Sequence, residues 1–322
     1  MKKYLILSTI LASLVTSPSF AEEVEDETTI KPIPTEIELN LDKVDLGKKL
    51  YFDTQLSKDG TISCASCHAL EKGGTDQTPT STGIGGQVGP INSPTVYNSG
   101  ANFVQFWDGR AATLEEQALG PVENPAEMGE KWADVIIKLK ADASYKAGFD
   151  KIYQGSITKE HAADAIAEFE RSLITPDSRF DKYLKGDETA LTKQEILGYN
   201  LFLDKGCNSC HSGTYLGGNS YQAMSEDYFT DRGNITEADY GRFNVTKDED
   251  DKYIFKVPTL RNVEVTAPYF HDGQVKTLEE AVTLMAKYQL GDEITQDDAK
   301  AISAFLRSTT GKYQGKYLDE MQ

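Results

Sequence analysis

Between Lys159 and Leu173 the apolar residues Ala162, Ile166, Phe169 and Leu173 recur at the spacing of one helical face, and Thr158 stands where an N-cap belongs. The spacing predicts a buried helix. A second pattern occurs twice: LGKKLYFD, Leu46 to Asp53, and LGYNLFLD, Leu197 to Asp204, both place apolar residues as a short helix would. Two more pairs follow in the same order. SPTVYN, ending at Asn98, is answered by VPTLRN, ending at Asn262, and FWDGRAATLEE, Phe106 to Glu116, by FHDGQVKTLEE, Phe270 to Glu280. Ordered repetition of this kind implies two related units. Thr113 with Glu116, and Thr277 with Glu280, have capping-box spacing, so each TLEE is expected to open a helix just after an Asp-Gly turn. Strand-like alternation is scarce, which makes the fold class mainly α. Periodicity lapses from Thr175 to Asp187, where turn residues gather, and this divides the chain into an N-terminal domain, 36–178, and a C-terminal domain, 179–322. Long irregular stretches are expected at 73–102 and 213–252; the first, rich in Gly, Thr and Pro, could build one wall of a pocket.

The other end of the hydropathy pattern is the N-terminus. Lys2 and Lys3 precede an apolar run from Tyr4 to Val15 and the small residues Ser19 and Ala21, which reads as a cleavable secretory signal, 1–21, too short to span a membrane. Cleavage would leave an acidic tail, 22–35, on an exported protein, with the periplasm as its compartment. The 322-residue chain carries a formal charge of −18, and losing Lys2 and Lys3 with no acids takes it to −20. Such a surface argues against nucleic acid and anionic membrane and would attract a basic protein partner. The Asp248 to Asp251 cluster reads as solvated surface.

Chemistry enters with the cysteines. All four lie in two CxxCH motifs, Cys64 to His68 and Cys207 to His211, which also hold two of the four histidines. A zinc site of four cysteines would want the pairs closer together, and a dithiol redox motif needs no following histidine. CxxCH is the signature of covalent c-type haem: the cysteines, Cys64, Cys67, Cys207 and Cys210, form thioethers, and His68 and His211 ligate the irons. The expected fold is therefore two cytochrome c-like domains, each with one haem c. His161 reads as a surface histidine on the outer side of its helix.

These motifs, with GPINSPT from Gly89, FWDGRAATLEEQALGPVENPAEMG from Phe106 and TAPYFHDG ending at Gly273, make the chain resemble the bacterial dihaem cytochrome c peroxidases, within a wider family that includes the methylamine-utilisation dihaem enzyme. The resemblance spans nearly the whole mature chain. It implies that the N-terminal haem reacts with hydrogen peroxide while the C-terminal haem, with His and Met ligands, accepts electrons from a small c-type cytochrome or cupredoxin. Met285, fourteen residues after His271, matches the methionine; Met224 and His271 are weaker candidates. Glu127 matches the carboxylate that moves a proton between the two peroxide oxygens, Gln117 the pocket glutamine, and Trp107 the tryptophan between the haems. A calcium ion is also implied, held by the side chain of Asn92 and the carbonyls of Thr266 and Pro268. The resemblance brings in homodimers by analogy.

One position departs from the pattern. Many of these peroxidases carry a second histidine sixteen residues after the first haem histidine, which closes the resting iron. Here that position is Ile84, and no histidine occurs from Ala69 to Glu160. The N-terminal haem is thus expected to be open in the oxidised protein. The missing histidine also brings the chain closer to the relative that oxidises a partner protein, which has a tyrosine where the peroxidases have methionine. Met285 favours peroxide reduction, although Tyr288 lies one helical turn away. A non-enzymatic dihaem electron carrier is the remaining alternative, and predicts two closed irons inert to peroxide.

Overall fold

The computed structural model describes residues 29–322; the expected signal peptide and the first half of the acidic tail, 22–28, lie outside them. The first half holds α1 (Leu41–Tyr51), the one-turn α2 (Cys64–Cys67), α3 (Leu114–Glu123), α4 (Trp132–Ala141), α5 (Ala143–Tyr153) and α6 (Lys159–Arg171). After α7 (Arg179–Leu184), the second half holds α8 (Lys193–Asp204), α9 (Glu226–Arg232), α10 (Phe243–Thr246), α11 (Leu278–Met285) and α12 (Gln296–Arg307). Strands among the described residues are two short antiparallel pairs, β1 (Tyr221–Ala223) with β2 (Ile254–Lys256) and β3 (Lys312–Tyr313) with β4 (Lys316–Tyr317). The chain is mainly helical, as its patterning predicts.

The repeated LG pairs have a packing reason that apolar spacing alone does not reveal. A Cβ on Gly47 would stand 1.8 Å from the carbonyl oxygen of Ala165, and one on Gly198 the same 1.8 Å from that of Ala301. Each glycine thus lets the helix before a haem motif, α1 or α8, lie directly on the backbone of α6 or α12. The caps also match. Thr113 and Thr277 each accept from the main-chain N of the glutamate three residues on, at 3.2 Å, and Thr158 caps α6 in the same way. The stripe on α6 is buried throughout, with Leu173 just beyond the helix end.

Two apolar cores follow from this packing. Leu46, Val122, Trp132, Phe149 and Ile166 anchor the first, and Phe202, Leu216, Leu278, Ile302 and Phe305 the second. A third cluster joins the halves through Tyr51, Tyr97, Phe169, Val265 and Leu318.

The segment Thr175 to Asp187 differs from its reading as a stretch of turns. It carries the capped helix α7, and Thr175, Ser178, Phe180 and Asp181 are buried. The Thr175 hydroxyl accepts from Asn98 Nδ2 at 2.8 Å and from Asn262 Nδ2 at 2.9 Å, so the matched asparagines of the two repeats meet on one oxygen. Beside it, Arg261, fully enclosed, pairs with Asp181 at 2.9 Å and donates to the carbonyls of Thr214 and Lys31. Removing one partner of such a pair generally costs about 3–5 kcal/mol, because the other charge is left buried alone. The stretch 213–252 is likewise more structured than its composition suggests, holding β1, α9 and α10. His161 is half-buried rather than a simple surface residue: its ring stacks on Tyr153, with centroids 4.3 Å apart, and Nδ1 meets Ser156 O at 2.8 Å.

Candidate haem sites and peroxide pocket

Both CxxCH motifs fold as a tight turn, the second directly after α8 and the first after a further 3-10 turn at Thr54–Leu56. His68 N donates to Cys64 O at 3.0 Å, and His211 N to Cys207 O at 3.0 Å, which swings each imidazole inward. His68 Nδ1 meets the carbonyl of Pro94 at 3.0 Å, in the first PT block; His211 Nδ1 meets Leu216 O at 3.3 Å, with the matched Pro258 carbonyl also acting on it. Burial lowers both imidazoles, His211 to about 4, against the pull of those carbonyls, so both rings are neutral at pH 7. A neutral ring that donates from Nδ1 presents the Nε2 lone pair to a metal. The four cysteines are free of disulfides and half-buried. Thiols free for thioether bonds and oriented neutral imidazoles are what a covalent haem requires at each motif.

On the first motif's side stands Glu127, close enough for its charge to raise the thiols of Cys64 and Cys67. It lies in the turn after α3. Asn124 shapes that turn: Oδ1 accepts from Ala126 N at 3.0 Å, and Nδ2 donates to Glu127 Oε1 at 2.6 Å. Burial pushes the Glu127 carboxyl up, while the Arg110 guanidinium and Asn124 pull it down. Ile84 braces the same turn, its N donating to Glu127 O at 2.8 Å. Gly83 makes this approach feasible, since a Cβ there would stand 2.1 Å from Ala126 O. Gln117 is half-buried on α3, and no hydrogen bond reaches its side chain among the described residues.

Sequence reasoning passed over three residues here. Asn124 and Arg110 act on Glu127 through contacts that no motif encodes. Glu170, 6 % exposed on α6, is a carboxyl that burial pushes up to about 8, and its charge acts on Cys64 and Tyr51. The repeat is the signal that could have found it: aligning Ala165 with Ala301 sets Glu170 opposite Leu306, a residue that lines the second haem cleft.

That second cleft is apolar and lies between the halves. Cys207, Cys210, His211, Leu278, Val282 and Met285 line it, with Trp107 and Asn92 from the first half. Met285, the last residue of α11, and the weaker candidate Met224 both reach it. Tyr288 is not part of the lining; its hydroxyl donates to Asp231 at 2.8 Å. His271 lines the cleft too, but Nε2 is engaged by Asp239 at 2.7 Å, and Arg232 holds both Asp239 and Asp272. Trp107 Nε1 donates to Asn92 O at 2.9 Å, Asn92 N donates to His271 O at 2.8 Å, and the Trp107 and His271 rings meet edge-on at 6.3 Å. The Asn92 amide donates to Thr78 O and Pro79 O, at 2.8 and 3.2 Å, leaving Oδ1 without a donor among the described residues. Thr266 and Pro268 line the same cleft, and no described donor reaches either carbonyl.

Comparison with known proteins places this arrangement. Residues 41–189 match the family described as di-haem cytochrome c peroxidase. The chain is 53% identical over 294 residues to "Cytochrome c peroxidase Ccp" of Escherichia coli (strain K12), with 91% of this chain covered. It spans 63% of that relative's length. It is 45% identical over 313 residues to "Cytochrome c551 peroxidase" of Nitrosomonas europaea, covering 96% of this chain and 92% of that one. A solved structure of a MauG-like protein associated with microbial copper homeostasis superposes with a TM-score of 0.77 at 28% identity, covering 91% and 96% of the two chains. The chain belongs to the di-haem cytochrome c peroxidase family, a class of haem c enzymes.

The Asn124 contact gives a pH test. Its hydrogen bond favours the charged form of Glu127, so Asn124→Ala should raise that carboxyl further. If Glu127 acts as the base, the acid limb of the rate with peroxide should move to higher pH, and an unmoved limb would separate Asn124 from the proton step.

Proposed function

We propose that the chain is a periplasmic peroxidase that reduces hydrogen peroxide to two waters, taking two protons and two electrons per turnover, the electrons coming from a small c-type cytochrome or cupredoxin. The observation that carries this reading is the inequality of the two motifs. A held carboxyl, Glu127, and the non-ligating Ile84 stand by the first, while Met285 lies in the cleft of His211. When bound, the haems supply the redox chemistry. Glu127 takes a proton from one peroxide oxygen and delivers it to the other as water leaves, and its burial keeps the carboxyl basic enough for both transfers. Gln117, whose amide has no partner among the described residues, orients peroxide or water. Trp107, which lines the second cleft and is fixed by its bond to Asn92, would carry electrons from the second site to the first. Ile84 has no ligating atom, so an iron held by His68 would have no second histidine there, and the oxidised enzyme would need no reductive activation. Met285 in the cleft with Tyr288 outside it supports peroxide reduction over oxidation of a partner protein.

The acidic net charge suits a basic donor, and no helix among the described residues is long and apolar enough to cross a membrane. Periplasmic export rests on the N-terminal 21 residues. The oxygens of Asn92, Thr266 and Pro268 suit a hard cation, and we assign them to calcium with water completing the shell.

Steady-state turnover with peroxide and a reduced small cytochrome tests the main reading. Glu127→Gln should lose roughly 10²-fold or more while keeping both haems; full activity in that variant would remove Glu127 from the mechanism. Poor cytochrome oxidation beside rapid reaction with peroxide would favour the protein-oxidant reading. For calcium, equilibrium dialysis should find one ion per chain and none in Asn92→Ala. Equal binding by the two proteins would rule out the Asn92 site.

A further inference from the structure

Lys256 closes β2 and is 6% exposed, yet its ammonium makes no hydrogen bond, ion pair or ring contact among the described residues. The residue lines the cleft that contains His211, Cys207, Cys210 and Met285. No aspartate or glutamate shares that lining, and the other lysine there, Lys205, is paired with Asp292 at 2.6 Å. Burial lowers the Lys256 ammonium to about 8, with nothing opposing the shift, which still leaves it largely charged at pH 7. A buried cation without a partner is costly, and folded proteins hold such groups against an anion. The described residues supply none here, which leaves whatever fills the cleft as the source of the anion.

We propose that Lys256 binds a propionate of the second haem and fixes the propionate edge of that haem toward Trp107. This rests on the assignment of the cleft to the second haem. That cofactor brings two carboxylates into an apolar space whose one unpaired cation is Lys256 among the described residues. The main chain adds the connection to Trp107: Lys256 N donates to Trp107 O at 2.8 Å, so one residue holds both the haem edge and the tryptophan. In the proposed role Lys256 is a cofactor-binding residue that also sets the electron affinity of the second iron. A positive charge close by disfavours the oxidised, more positive state of the iron.

The test uses the holoprotein in an optical redox titration, with Lys256→Met and Lys256→Arg beside the unmodified chain. At a fixed ambient potential, the ratio of reduced to oxidised second haem should fall about tenfold in Lys256→Met, and stay within about twofold in Lys256→Arg, which keeps the charge. An unchanged second haem in Lys256→Met, or a shift confined to the first haem, would overturn the proposal. Should Lys256→Met fail to accumulate, the propionate bending band in the resonance Raman spectrum decides between the other two proteins. It should shift in Lys256→Arg, and an identical band would overturn the proposal. A haem count below two in the unmodified protein would instead strike at the assignment of the cleft.

Discussion

Two imidazoles, each with Nδ1 turned to a main-chain carbonyl, set the terms for everything around them. Without Pro94 O, the His68 ring could rotate or bind its metal through the wrong nitrogen; with it, Nε2 is left for a metal and the neutral tautomer is fixed. The carbonyl stands where it does because the PT segment folds back over the haem motif, held by Thr95 Oγ1 to Gly73 O at 2.7 Å and by the Asn98 anchor on Thr175. The second half repeats the device with Thr259 and Asn262. Helices α1 and α8, the PT segments and the central Thr175 are thus parts of one solution to holding a buried histidine, used twice.

Function comes from where the two copies stop matching. Tyr97 and Arg261 occupy the same repeat position, but the first closes on Leu70 O, while the second becomes the buried cation that ties α7 and the N-terminal segment to the second half. Glu170 stands where the other copy has Leu306, placing a carboxyl near the first motif and an aliphatic wall at the second. Glu127 with Asn124 belongs to one half, Met285 to the other. In the proposed mechanism these differences separate proton management from electron acceptance, with Trp107 at the boundary between them.

Much of this was legible in the sequence, because repetition and chemistry coincide there. The CxxCH pairs, the two TLEE starts and the α6 stripe depend on local spacing, and the structure has each in place. Most of what stayed hidden depends on contacts between distant segments. The glycines of the LG pairs look like ordinary helix positions until Ala165 O and Ala301 O come within reach of a Cβ. Thr175 reads as a turn residue because a hydroxyl that accepts from residues 77 and 87 positions away leaves no periodic trace. Asn124 and Arg110 bear on Glu127 only once the turn after α3 has folded. Lys256 looks like one of many surface lysines until β2 carries it into an apolar cleft.

Ile84 offers no ligand to an iron that His68 would hold, so in the proposed mechanism the oxidised enzyme should already be competent. Stopped-flow mixing of the fully oxidised holoprotein with hydrogen peroxide, with no reductant present, reads this directly. An immediate change in the first haem's absorption is expected, at a rate that rises with peroxide concentration. An inert oxidised protein that reacts only after one-electron reduction would contradict it.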